Sequence, residues 1–206
     1  MMEKLPIENP IVQAPMAGIT TPEFVVACCE TGVLGSIGAG YLNGQETKRF
    51  IQEVKALTEK PFSVNLFVPE QTQSDLHLVQ RAREALQPIC DELNIPIPES
   101  IPTSNVFQEQ VQAILEDGVT VVSFTFGLPD DETLSALKQK DVYLIGTATS
   151  VEEAVAVEKA ELNAVVVQGI EAGGHRGSFI EPMALHSTAD LLKAVKENIS
   201  IPVIAA

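Results

Sequence analysis

Short apolar runs alternate with amphipathic stretches along the whole 206-residue chain, and this alternation restricts the fold more than any other feature. The runs at 11–16, 33–40, 62–68, 119–127, 141–147, 164–169 and 201–206 predict seven strands. The stretches between them predict helices, among them 45–58, 74–93, 105–117, 130–140, 150–161 and 187–198. Helix signals support the reading. Thr21 is placed to cap a helix that has Pro22 in its first turn and Gly32 at its stop. Ser150 and Glu153 have capping-box spacing, and Leu191, Leu192, Val195 and Ile199 line one helical face. A proline-rich connector occupies 95–104.

Strands that are apolar along nearly their whole length are buried on both faces, which calls for parallel pairing under a cover of helices. Two α/β architectures satisfy this: an open doubly wound sheet, or a closed (β/α)8 TIM barrel. The open sheet would normally carry a G-x-G-x-x-G turn after its first strand, but the turn here reads APMAGIT. The carboxyl ends of the runs also bear a coherent set of site-like residues, which favours the barrel. A complete barrel has eight strands and typically ~250 residues. The expectation is therefore one domain over 1–206, a TIM barrel truncated after its seventh strand.

Composition narrows the partners. Thirteen basic residues against 28 acidic ones leave a formal charge of -15, which opposes binding to phosphate backbones and anionic membranes. Three cysteines, two of them the adjacent Cys28 and Cys29, cannot build a disulfide framework; they read as packing thiols in a reducing, cytoplasmic setting. No run approaches the ~18 apolar residues of a membrane span, and no His, Cys or carboxylate set has metal-ligand spacing.

In parallel α/β proteins ligands bind at the carboxyl ends of the strands. Those ends here are rich in small residues and amides: the turn Ala14, Pro15, Met16, Ala17 and Gly18, then Gly38 to Gly40, Asn65, Gln168, and a loop containing Gly173 and Gly174. Glycines leave room for a flat ligand, and the neutral amides of Asn65 and Gln168 suit a heteroaromatic edge that presents N–H and C=O groups. An aromatic cofactor fits such a rim better than a hydrolytic site does. His175, between the glycine pair Gly173–Gly174 and Gly177 after a central strand, is the candidate catalytic residue. A neutral imidazole there can take a proton from an acidic carbon or hydrogen-bond an anionic substrate, although a lone loop histidine is more often structural. Glu171 and Arg176 read as a loop ion pair, and His77 and His186 as solvated or structural.

Four segments, QAPMAGI (13–19), NLFVP (65–69), SFTFG (123–127) and VQGIEAGGHRG (167–177), occur in an order and spacing that resemble the nitronate monooxygenases, formerly 2-nitropropane dioxygenases. The resemblance runs through essentially the whole chain. It implies a TIM-barrel flavoenzyme that binds FMN noncovalently and oxidises alkyl nitronates, such as propionate 3-nitronate, with O2. The products implied are a carbonyl compound and nitrite or nitrate, in a detoxifying reaction that starts with electron transfer from nitronate to flavin. Position by position, it assigns the catalytic histidine to His175. It assigns FMN contacts to Ala14–Gly18, Asn65, Gln168, Gly173 and Gly174, with no metal. It also implies that the FMN phosphate anchor lies in turns beyond Ala206, so that the 206-residue chain alone binds FMN poorly. The expected partners are a small nitronate and O2, with a homodimer left open. Two alternatives stand beside this reading: a flavin-dependent enoyl-acyl-carrier-protein reductase that consumes NAD(P)H, and a non-catalytic flavin-binding barrel remnant.

Overall fold

The computed structural model describes residues 5, 7–70, 75–97, 106–183 and 185–206. These fall into two compact units, one made of Met1–Pro69 with Val106–Ala206, the other of Glu70–Asn105. The smaller unit holds one described helix, here numbered α3 by chain order, at Leu76–Leu93. Asp75 caps it by accepting from the backbone N–H groups of His77 and Leu78, and Asn94 ends it in the left-handed conformation. Most of the proline-rich connector lies outside the described residues.

The larger unit alternates strands and helices in the expected order. Its strands are β1 (Gly35–Gly38), β2 (Phe62–Phe67), β3 (Val121–Thr125), β4 (Tyr143–Ala148), β5 (Ala164–Val167) and β6 (Val203–Ala205). The helices are α1 (Pro22–Glu30), α2 (Gly44–Leu57), α4 (Val106–Glu116), α5 (Asp131–Lys138), α6 (Val151–Lys159) and α7 (Thr188–Lys196). All six strands pair in parallel, each with its neighbour in sequence, in the order β1-β2-β3-β4-β5-β6. A doubly wound sheet reverses its strand order part-way; an unbroken sequential order is that of a barrel wall. The α/β barrel expectation therefore holds, with the strands forming a barrel arc.

One predicted strand contracts. The run at 11–16 forms only an isolated parallel bridge, Val12 with Leu34. Gln13 N–H reaches the Leu34 carbonyl at 2.9 Å, but the next ladder donor, Ser36 N–H, is taken at 2.7 Å by the Gln13 side chain instead of a backbone carbonyl. Pro15 has no N–H with which to resume the ladder. The chain leaves the sheet there and turns across it.

Side chains alternate across the sheet with the two-residue strand period. Val122 and Phe124 of β3, Leu144 of β4 and Val165 and Val167 of β5 face the helices, packing with Val25, Ile51, Ile114, Leu137, Val157 and Leu191. Burying one such side chain contributes about 1.5–3 kcal/mol. The opposite face is apolar at the amino ends of the strands, where Leu34, Val121, Tyr143, Ile145 and Ala164 cluster with Leu5. Towards the carboxyl ends the same face turns polar. Ser63 donates to Ser36 at 2.6 Å, and Asn65 donates to Ser123 Oγ and Thr125 Oγ1 at 3.0 and 3.1 Å. Polar residues concentrate on the inner face where a ligand would sit.

Candidate functional site

β5 ends at Val167, and the next inward position is Gln168. Both ends of its side-chain amide bind one loop: Nε2 donates to the His175 carbonyl at 2.7 Å, and Oε1 accepts from Gly177 N–H at 2.8 Å. Gly177 sits in tight quarters. A Cβ there would lie 3.0 Å from the methyl groups of both Thr125 and Thr147. Irregular backbone is thus pressed onto the carboxyl ends of β3 and β4, and His175 is carried with it.

The imidazole of His175 meets three aromatic rings, one from the end of each of the first three strands. Phe67 closes β2 at a centroid distance of 5.8 Å, and Phe126 follows β3 at 5.9 Å. Tyr41, just after β1, stands at 6.4 Å with its hydroxyl 3.3 Å from Nε2. Phe67 and Phe126 pack edge to face at 4.8 Å, so the wall is continuous. Phe126 adopts φ 71°, a left-handed conformation costly for a bulky side chain, typically about 1–3 kcal/mol. Such strain concentrates at ligand sites. Phe67 also fills the space that a Cβ on Gly40 would need, the nearest ring atom lying 2.3 Å from that position.

The expected flavin contacts share this rim in part. The Ala14–Gly18 turn is closed by Thr20, whose N–H and hydroxyl both donate to the Met16 carbonyl at 3.0 and 2.9 Å. Gly18 has φ +76°, as the turn requires. A Cβ on Gly38 would strike the backbone of Met16 and Ala17 at 2.6–2.9 Å, so this turn crosses the end of β1. Asn65 is buried and shares its donors among the Ser123 carbonyl, Ser123 Oγ and Thr125 Oγ1. Gly173 and Gly174 face open space. The glycines therefore divide: Gly38, Gly40 and Gly177 admit other parts of the protein, whereas Gly173 and Gly174 leave room beside His175.

Two expectations need correction. Glu171 and Arg176 form no ion pair among the described residues. The Glu171 carboxylate instead accepts from Thr188 N–H and Oγ1 at 2.8 and 2.9 Å, bonds that hold its carboxyl below the ordinary glutamate range. Arg176 reaches the Thr149 carbonyl at 3.5 Å. The capping box at Ser150 is only half formed. Ser150 Oγ accepts from Glu153 N–H at 3.1 Å, but the Glu153 carboxylate turns away to Thr149 and to the segment after His175. Residue pattern marks Phe67 and Phe126 only as parts of NLFVP and SFTFG, marks Glu153 only as a capping partner, and does not mark Tyr41. Each acquires its place at this site only from the folded neighbourhood of His175.

The nitronate monooxygenase family model matches residues 1–206. The chain belongs to the nitronate monooxygenase family. A Staphylococcus aureus (strain Newman) protein named "Probable nitronate monooxygenase" is 43% identical over 210 residues, which cover 100% of this chain and 59% of that protein. Among solved structures, the nitroalkane oxidase from Streptomyces ansochromogenes superposes with a TM-score of 0.82 at 35% identity, covering 97% of this chain and 58% of that one. FabK from Thermotoga maritima gives a TM-score of 0.73 at 28% identity, covering 98% and 51%. The chain thus spans 59% of the length of the curated nitronate monooxygenase relative. Among the described residues, no helix is long and apolar enough to cross a membrane.

Proposed function

We propose that the site around His175 belongs to an FMN-dependent enzyme that oxidises alkyl nitronates, propionate 3-nitronate among them, with O2. The products are a carbonyl compound and nitrite or nitrate, and the reaction detoxifies the nitronate. The observation that carries this reading is the imidazole of His175, walled by Tyr41, Phe67 and Phe126 beside an open, glycine-lined space. Family membership and the likeness to a nitroalkane oxidase support it.

The residues present fit a flavin ring. Gly173 and Gly174 have nothing within 4 Å of a would-be Cβ, which leaves room for a flat group. Asn65, whose amide N–H groups are taken by Ser123 and Thr125, offers its amide oxygen, and the backbone of the Ala14–Gly18 turn offers further neutral polar groups at the same rim. Asn65, Ala14–Gly18, Gln168, Gly173 and Gly174 are the residues that would hold FMN. Because the Gln168 amide already clasps His175 and Gly177, its contribution is chiefly to keep that loop at the cofactor's edge. When bound, FMN supplies the electron acceptor through which O2 enters the reaction.

The chain's own residues then have two tasks. On a neutral nitroalkane, an imidazole nitrogen of His175 takes the proton from the carbon bearing the nitro group, and the C–H electron pair moves into that group to give the nitronate. On a nitronate, already deprotonated, His175 hydrogen-bonds and orients the anion. Tyr41 fixes the ring by its contact with Nε2, and the two phenyl groups exclude water from one side. Neither task requires a pyridine nucleotide.

The test is oxygen uptake by the flavin-loaded protein with propionate 3-nitronate and no NAD(P)H, together with assay of nitrite and nitrate. Oxygen uptake with formation of these products supports the reading. The sequence resemblance leaves a second reading, an enoyl-acyl-carrier-protein reductase. Turnover only with an enoyl thioester and NAD(P)H would establish that instead. A protein with flavin absorbance but neither activity would be a flavin-binding remnant.

A further inference from the structure

Glu153 is a fully buried carboxylate on α6. Its Oε2 accepts from Thr149 N–H and Oγ1 at 2.6 and 2.8 Å, at the carboxyl end of β4. Its Oε1 accepts from Ser178 Oγ, Phe179 N–H and Ile180 N–H at 2.9, 2.6 and 2.9 Å. Five donors from two distant segments therefore converge on one side chain. A capping box would have returned this carboxylate to Ser150 N–H. Here three of the five donors belong instead to the irregular segment that begins three residues after His175. Burial pushes the Glu153 carboxyl up, but the bonds from Phe179, Thr149 and Ile180 outweigh it and hold the group ionised, below its ordinary range.

Side chains thus grip the loop, whose own Arg176 also reaches the Thr149 carbonyl at 3.5 Å. Gln168 holds the His175 carbonyl and Gly177 N–H, and Glu153 holds Ser178 to Ile180. Between them, Gly177 is seated against Thr125 and Thr147. No strand or helix fixes this stretch, so the two side chains take over the work that a backbone ladder does elsewhere. We infer that Glu153 is a positioning residue, whose buried carboxylate fixes the segment after His175 against the end of β4 and so sets where the imidazole stands. The inference rests on the functional reading of His175 given above.

Glu153→Gln tests it. An amide of the same shape keeps one acceptor and turns an N–H2 group towards either Thr149 N–H or the Phe179 and Ile180 N–H groups, so one half of the grip is lost. The first readout is amide hydrogen exchange in the flavin-loaded protein. Exchange at Phe179 and Ile180 should quicken at least ten-fold, with Val122 and Leu144 of the sheet unchanged. The second readout is turnover. Because placement matters most for proton removal, kcat/KM on a neutral nitroalkane should fall at least ten-fold, and that on its nitronate by much less. A merely structural role would lower both substrates alike or neither. If Glu153→Gln does not fold, Ser178→Ala, which removes one donor and leaves the carboxylate, should still quicken exchange at Phe179 and Ile180. Unchanged exchange in the variant that folds, or equal loss on the two substrates, overturns the inference. If the wild-type protein oxidises neither substrate, the functional reading fails, and the exchange readout still decides whether Glu153 holds the loop.

Discussion

The hydroxyl of Tyr41 lies 3.3 Å from Nε2 of His175, although the two residues are 134 positions apart. One comes from the turn after β1 and the other from the loop after β5. Only a curved sequential sheet brings those strand ends to a common rim. The contact ties the orientation of the imidazole to the first β/α unit as well as to its own loop.

Tyr41→Phe keeps the ring and its packing on Phe67, whose centroid is 6.0 Å away, and deletes only the hydrogen bond. A net bond of about 0.5–1.5 kcal/mol corresponds to roughly a 2–12-fold loss. That loss should appear in kcat/KM on a neutral nitroalkane, with the urea midpoint unchanged. Steady-state oxygen uptake with wild type and variant measures it.

Gly177→Ala forces a methyl group to within 3.0 Å of the Thr125 and Thr147 methyls. The neighbours belong to two strands of the core sheet, so the loop must give way. The expected cost is about 1–3 kcal/mol by urea denaturation, with a fall in turnover because the displaced backbone adjoins His175. Equal stability and equal activity would show that the loop has slack.

Stability should carry an acid limb from Glu153. Its folded carboxyl titrates below its unfolded one, so its contribution is complete above the ordinary glutamate range and is lost as pH falls through the folded value. The partners that face it are neutral donors from Thr149, Ser178, Phe179 and Ile180, with Arg176 reaching the Thr149 carbonyl nearby. The stability gap between wild type and Glu153→Gln should be about 1–3 kcal/mol. It should stay constant from about pH 8 to 6 and narrow below about pH 4. Urea midpoints taken across that range check both statements.

Adjacent cysteines should differ in reactivity. Cys29 is buried, its Sγ lies 3.4 Å from the Pro61 carbonyl, and burial pushes its thiol up. Cys28 is half-buried. A thiol reagent followed by peptide mass spectrometry should find Cys28 and Cys90 modified in the native protein, and Cys29 only after unfolding.

Much of the architecture was legible from residue pattern. Apolar runs with helical stretches between them specify parallel strands, and Thr21 and Ser150 each cap a helix as side chains of their type do. The 11–16 run misled because apolar content does not report whether backbone donors are free, and Pro15 together with the Gln13 side chain ends that ladder after one bridge. His175 stood out through its glycine-rich surroundings. The rings around it did not, since Tyr41, Phe67 and Phe126 are ordinary aromatic residues until three strand ends converge. Glu153 was hidden by a better-known use of the same spacing: its backbone N–H obeys the capping pattern, and its carboxylate serves the loop beyond His175.

The central claim is that His175 serves as the base for neutral substrates and only as an orienting group for nitronates. The most direct measurement is oxygen uptake by flavin-loaded wild type and His175→Ala, each with nitroethane and with ethyl nitronate, in the absence of NAD(P)H. A positioned base typically contributes about 10²–10⁴-fold. Loss of that order on nitroethane, with ethyl nitronate turnover within about ten-fold of wild type, is the predicted result. Undiminished oxidation of nitroethane by His175→Ala would contradict the account.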